Sequence, residues 1–369
     1  MEKFYNLIED RYSYPIAATL VDDRYLYFVT CYNNILYKLD LETDEYEEIL
    51  MPIGNKKAEA FWYVIQYCNK LLFIPYQESF FLEFDMENKQ FSLFLENYMR
   101  DMGVKHLFRD YVLDDNNLVL LDMTYQKIIV IDLNTKMVIN EISLDKYATI
   151  VKSSFFGMKL KGKDLYVFGK MDKKILKVNY INGKINVIRT CHEIYYAECD
   201  GDNIFYMPHP EYEPQIFCLN IKTGKTKCLG NVEVQKSKGV AHTRYWRPTK
   251  IGDEIVFLAY ESMEVVVYSM EDKTLNIVKP YMEKYKSYHL NYHRALSEII
   301  KYKEGFIVIP LSGNTIFLLD SAKGVKKEYR FMISDEIVQN MILGYEGTNE
   351  IYEGVAVLED FIQYVDKNG

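Results

Sequence analysis

One phrase recurs along this chain, and its recurrence leaves few folds open. Its clearest copy is NNLVLLDMTYQKIIVIDLNTKMVINEISL, Asn116 to Leu144. A strand, LVLLD, leads through a short loop, MTYQK, into a second strand, IIVID. A tight turn, LNTK, then returns the chain as MVINEISL. The same order of strand, loop, strand, turn and strand is present in YLYFVTCYNNILYKLDLETDEYEEIL, LLFIPYQESFFLEFDMENKQFSLFL and LYVFGKMDKKILKVNYINGKINVI. IFYMPHPEYEPQIFCLNIKTGKTKCL, IVFLAYESMEVVVYSMEDKTLNIV and FIVIPLSGNTIFLLDSAKGVKKEYRF bring the copies to seven. Each copy closes its middle strand on a short polar residue: Asp40, Asp85, Asp132, Asn179, Asn220, Ser269 or Asp320. Such side chains bond the backbone two residues on and so start a turn. The Asn-Thr-Lys, Asn-Gly-Lys and Thr-Gly-Lys tips supply the left-handed residues that the hairpin needs.

One further strand precedes each phrase and ends in its own turn, centred on Asp23, Cys68, Asp115, Gly162, Gly201, Gly252 and Glu304. The period is roughly 40 to 50 residues, that of a four-stranded propeller blade. The expected fold is therefore all-β: a seven-bladed β-propeller of four-stranded antiparallel blades, whose ring shields its sheet edges. The blades are expected near 16–50, 60–96, 106–144, 153–190, 194–230, 243–278 and 296–331, in a single domain over 1–369. A β-sandwich lacks this repeat. The tail breaks the pattern: Val355, Leu358, Phe361, Ile362 and Val365 fall at helical spacing and predict a short C-terminal helix over about 353–366.

Residues 117–144 carry a resemblance. LVLLDMTYQ followed by IIVIDLNTKMV is similar to the YVTN-type repeat of quinoprotein-like propellers, with its L-Y-V-T-N phrase, variable loop and V-I-D-x-x-T-x-K-V turn. A weaker form of the pattern runs over 16–331, without the Gly-His and Trp-Asp pairs of WD repeats or the double glycine of kelch repeats. The resemblance implies the propeller fold. Such propellers are functionally diverse, so it carries no catalytic residue to this chain.

Composition narrows the function classes. A net charge of −9 argues against a general nucleic-acid or anionic-membrane binder. No apolar run approaches the roughly 20 residues needed to cross a bilayer, and MEKFYNLIEDRYSY has no apolar signal core. The six cysteines form no C-x-x-C pair and mostly fall in strand-like runs. Together these predict a cytoplasmic protein without structural disulfides. No phosphate-binding loop, dinucleotide fingerprint or nucleophile elbow is present, and no cofactor is expected.

Blade geometry then sorts the loops. The links between blades and the loops between second and third strands share one face. His106, His192, His242, His289 and His293 fall in links, and His209 falls in the inner loop PHPEYEPQ. His289 with His293, or His209 with Glu211, has metal-ligand character, but no H-E-x-x-H pattern surrounds them and no metal is expected. Six residues before each first turn stand Ala17, Trp62, Arg109, Phe156, Tyr195, Trp246 and Glu298, a register that holds both tryptophans of the chain. The next ring carries Tyr63, Asp110, Tyr196 and Arg247. Aromatic faces beside arginines and carboxylates at a channel mouth suit a binding site for a small molecule, glycan, peptide or protein partner, with Trp62, Arg109, Tyr195, Trp246, Arg247 and Glu298 as contacts. The bland alternative is that the aromatics wedge between blades. An enzymatic alternative is a lyase or hydrolase for a small or sugar-like substrate, with His209 or His242 as general base and Arg244 or Arg247 stabilising an anion.

Overall fold

A computed structural model describes residues 15–30, 35–52, 60–76, 78, 80–95, 98, 107–148, 154–171, 173–208, 215–232, 245–259, 265–278, 296–310, 315–319 and 324–330. Among the described residues twenty-eight strands, numbered in chain order, form seven sheets of four. Every sheet takes four consecutive strands, each antiparallel to the next, so the chain is the expected seven-bladed propeller. The expected C-terminal helix lies outside the described residues.

The innermost strands are β1 (Pro15–Val21), β5 (Phe61–Tyr67), β9 (Phe108–Asp114), β13 (Phe155–Lys161), β17 (Ala197–Asp200), β21 (Tyr245–Ile251) and β25 (Leu296–Tyr302). They line the central channel. β1 packs against both β5 and β25, which closes the ring. The seam between first and seventh blades is apolar: Ala18, Leu26, Phe28 and Tyr37 share a cluster with Tyr302, Ile307, Ile309 and Tyr329. Tyr329 also donates from its hydroxyl to the Leu41 carbonyl at 3.0 Å across that seam.

Burial explains why LVLL and IIVI read as unbroken apolar runs. β10 (Asn117–Asp122) and β11 (Lys127–Asp132) are buried from Leu118 to Leu121 and from Ile128 to Ile131. Both faces of a middle strand meet a neighbouring blade, so neither face can be polar. The outer strand β12 (Met137–Ser143) alternates instead, because its edge and one face are wet.

The turns follow the sequence reading. Asp40, Asp85, Asp132, Asn179, Asn220 and Ser269 each accept from a backbone N–H two or three residues on. The left-handed positions of the tips are Lys136, Gly183 and Gly224. Two first-turn positions differ from expectation. The seventh blade turns on Lys303 (φ 51°) rather than Glu304, and the first uses a longer loop with both Asp22 and Asp23 left-handed.

One glycine is required by close approach. A Cβ at Gly169 would stand 1.9 Å from the Ser154 carbonyl oxygen and 2.9 Å from the Phe155 Cα, both backbone atoms. Gly169→Ala is expected to cost about 1–3 kcal/mol or more by overpacking. A urea melt against wild type reads this directly, and an unchanged midpoint would contradict the packing of blade four.

Candidate functional site

The channel mouth is built on β-bulges. Pairing of the innermost strand with its neighbour slips between Pro15 and Ala17, Phe61 and Tyr63, Phe108 and Asp110, Phe155 and Gly157, Trp246 and Thr249, and Leu296 and Glu298. A bulge leaves one residue unpaired and re-aims its side chain. The unpaired positions are Ile16, Trp62, Arg109, Phe156, Arg247 with Pro248, and Ser297. In the fifth blade Tyr195 precedes the strand, which begins at Ala197.

The predicted ring thus holds at Trp62, Arg109 and Phe156 and slips elsewhere. Ala17 and Glu298 lie one residue past the bulge, because their first turns start one residue earlier than the sequence alignment assumed. Trp246 pairs with Leu258, and the slip falls on Arg247. Pro248 has no N–H, so pairing resumes only at Thr249. Of Trp246 and Glu298 only the backbone is described. His209, His242 and Arg244 lie outside the described residues, as do His106, His289 and His293.

Three of the bulge residues join a stack that runs over four blades. Trp62 lies against Tyr76 with centroids 3.7 Å apart and planes within 7°. The Arg109 guanidinium lies 4.8 Å from the Trp62 ring centre and 5.7 Å from that of Phe156. Phe156 in turn stacks on Tyr195 at 4.7 Å. Trp62 is 8% exposed, so it is a buried member of the stack and not an open platform. The Nε and Nη1 of Arg109 are buried and meet no acceptor.

Beneath the stack a second tier spans the channel. Arg247, from blade six, donates through Nη2 to the Arg109 carbonyl at 2.8 Å and to the Tyr63 hydroxyl. The same nitrogen is 3.1 Å from Asp110 Oδ1. Its guanidinium also covers the Tyr63 ring at 4.5 Å. Tyr63 donates to the Arg109 carbonyl at 2.6 Å, and burial pushes its phenol well up. Asp110 further accepts from the Met158 N–H of the next blade at 2.7 Å and from Tyr111 N–H at 2.9 Å. Blade six is thereby tied to blades two and three on the far side of the ring. Arg247 holds this position with φ at 32°, a left-handed value for a residue that precedes proline. Strained backbone of this kind persists only where surrounding contacts over-determine it.

Below Arg247 lies a cavity of about 300 Å³, lined by Asp110, Met158, Lys159, Tyr196, Thr249 and Leu258 among others. Glu198 binds the wall together deeper down. It accepts from Lys159 Nζ at 2.9 Å, from the Lys250 N–H of the next blade at 3.2 Å and from Cys199 N–H at 2.9 Å. Asp110 and Glu198 do one job in different blades: a buried carboxylate on an inner strand takes a backbone N–H from the next. Sequence reasoning missed Glu198, Lys159 and Tyr76. The available signal for Glu198 was its place as one of two acids in the four-residue inner strand AECD.

His192 stands apart, in the link before β17. Its Nδ1 is 3.0 Å from the Tyr206 hydroxyl, and its ring is 4.4 Å from that of Phe217.

Two outcomes follow from these contacts. Arg247→Ala strands the Asp110 charge and is expected to cost about 3 kcal/mol. Arg247→Met with Asp110→Asn should recover part of that loss, since no charge is stranded. Urea midpoints of the three proteins check this, and equal midpoints would remove the tie across the channel. Burial holds the His192 imidazole below its ordinary value of 6.5, with Lys173 adding to the effect. The unfolded chain therefore takes up this proton first as pH falls. The stability from neutral His192 is whole above about pH 6.5 and is lost as pH drops below it. The melting-temperature advantage of wild type over His192→Gln should shrink between about pH 7.5 and about pH 5.5.

No protein-family model matches this sequence, and no curated protein matches it. Solved structures do. The chain is similar to a streptogramin B lyase at TM-score 0.59 and 14% identity, over 83% of this chain and 93% of that one. It is similar to a catalytically inactive virginiamycin B lyase from Staphylococcus aureus, solved with quinupristin, at TM-score 0.60 and 12% identity, over 82% and 93%. It is also similar to PorZ, a bacterial surface component of the type-IX secretion system of Porphyromonas gingivalis, at TM-score 0.58 and 10% identity, over 88% of this chain and 39% of PorZ. At these identities the likeness is one of fold: the chain is a seven-bladed β-propeller.

Proposed function

We propose that the protein is a non-enzymatic binding propeller that takes a glycan, peptide or protein partner at its channel mouth. One observation carries this reading. The stack of Tyr76, Trp62, Arg109, Phe156 and Tyr195 gathers flat apolar faces and a cation from four blades at one end of the channel. Convergent aromatic and polar groups at a concave opening are what a ligand site needs. The Arg247 tier beneath fixes the floor, so the groups above it are held in place before any ligand arrives. Aromatic residues and arginine are also the side chains that dominate binding energy at interfaces.

The solved relatives are a lyase pair and a surface component, and propellers host many unrelated activities. The lyase or hydrolase alternative needs His209 or His242 as the base, both outside the described residues, with Arg244 or Arg247 to hold the anion; Arg247 is already engaged by Asp110, Tyr63 and the Arg109 carbonyl.

A thermal-shift screen of wild type and Tyr195→Ala against sugars, oligosaccharides, peptides and nucleotides tests the reading. Ligand at about 100 times its Kd adds roughly 2.7 kcal/mol of stability. The expected result is a raised melting temperature in wild type, a smaller rise in Tyr195→Ala, and ligand recovered chemically unchanged. Recovery of a converted product would replace binding with catalysis. A rise of equal size in both proteins would move the site away from the channel mouth.

A further inference from the structure

We infer that Arg109 is the anchor for a carboxylate group, so that the ligand at the channel mouth is an acid. This rests on the binding reading above and adds the chemistry of the ligand. Among the described residues two arginines meet at the channel mouth, and they differ in their partners. Arg247 has a counter-ion, Asp110, and gives hydrogen bonds to Tyr63 and to a carbonyl. Arg109, one tier above, has none of these. Its Nε and Nη1 are buried without an acceptor, and among the described residues no carboxylate pairs with it. A guanidinium keeps its charge at any pH a protein meets. Burying such donors unpaired is unfavourable, and natural cores rarely do so without a functional reason.

The surroundings hold the guanidinium in place without satisfying it. Trp62 and Phe156 come from the blades on either side and cover it as rings. Its backbone is pinned because the Arg109 carbonyl accepts from both Tyr63 and Arg247. Its bulge position turns the side chain out of the regular pleat. The planar guanidinium presents paired N–H groups, and a flat carboxylate can meet two of them at once. A phosphate can be held by the same fork, and the experiment below separates the two anions.

Matched pairs of probes test the idea without assuming the natural ligand. Glucuronate is compared with glucose, and short peptides ending in a free carboxylate with the same peptides amidated. Each is titrated by calorimetry and thermal shift into wild type, Arg109→Lys and Arg109→Gln. The expected result is that an acid of at least one pair binds wild type and its neutral partner binds more weakly. Arg109→Gln should then weaken the acid by about ten- to hundredfold, with Arg109→Lys in between. Which pair responds tells a sugar acid from a chain end. Equal binding of acid and neutral partner, or full affinity in Arg109→Gln, overturns the role of Arg109 while leaving the binding reading intact. Binding of inorganic phosphate in preference to every carboxylate overturns the choice of anion. No binding of any acid at millimolar concentration overturns the proposal, whereas the binding reading stands or falls on the wider screen. The wild-type comparison of acid with neutral partner needs no variant, so a variant that fails to fold does not rescue the idea.

Discussion

The structure depends on one constraint: a middle strand that is apolar on both faces must have a sheet on each side. Leu118 to Leu121 and Ile128 to Ile131 show it most plainly, buried from end to end between blades. A row of such sheets has two unsatisfied ends, and the ends can meet only by bending the row into a ring. The cluster that joins Phe28 and Tyr37 to Ile307, Ile309 and Tyr329 is that meeting. Among the described strands no blade borrows a strand from another, so side-chain packing and the hydrogen bond from Tyr329 to Leu41 close the seam.

Ring closure forces seven inner strands together around a common channel, and polar chemistry collects there for a physical reason. Inner strands cannot all present large apolar side chains to one narrow axis. They meet instead through buried carboxylates that reach the next strand's N–H, Asp110 to Met158 and Glu198 to Lys250. The bulges at the strands' starts then lift Trp62, Arg109 and Phe156 out of the pleat and into contact. The aromatics do wedge between blades, as the bland reading had it. The same wedge is what surrounds Arg109 with rings.

Much of the fold was legible because its signals are local. A strand's period, a short polar side chain before a turn and a glycine at a tip act over a few residues, and Asp40, Asn179 and Asn220 make the bonds expected of them. The meeting of Trp62, Arg109, Phe156 and Tyr195 could also be anticipated, because repeats carry a common register. The slips at Ala17, Trp246 and Glu298 have plain causes: the first loop gains a residue, a proline interrupts pairing after Arg247, and the seventh turn is centred on Lys303 rather than Glu304. Contacts across the channel were not legible at all. Arg247 reaches Tyr63 and Asp110 over sequence separations that no repeat phase encodes, and Tyr76 enters the stack from a loop whose sequence is not shared between blades.

A propeller's backbone is close to rotationally symmetric, so its channel offers any visitor several near-equivalent settings. The side chains here abolish that degeneracy. The guanidinium without an acceptor stands on one blade, the cross-channel arginine on another, and the two buried carboxylates sit at different depths. A molecule entering the mouth therefore meets a dial with a single marked position, and its orientation is set by the blade on which the mark stands.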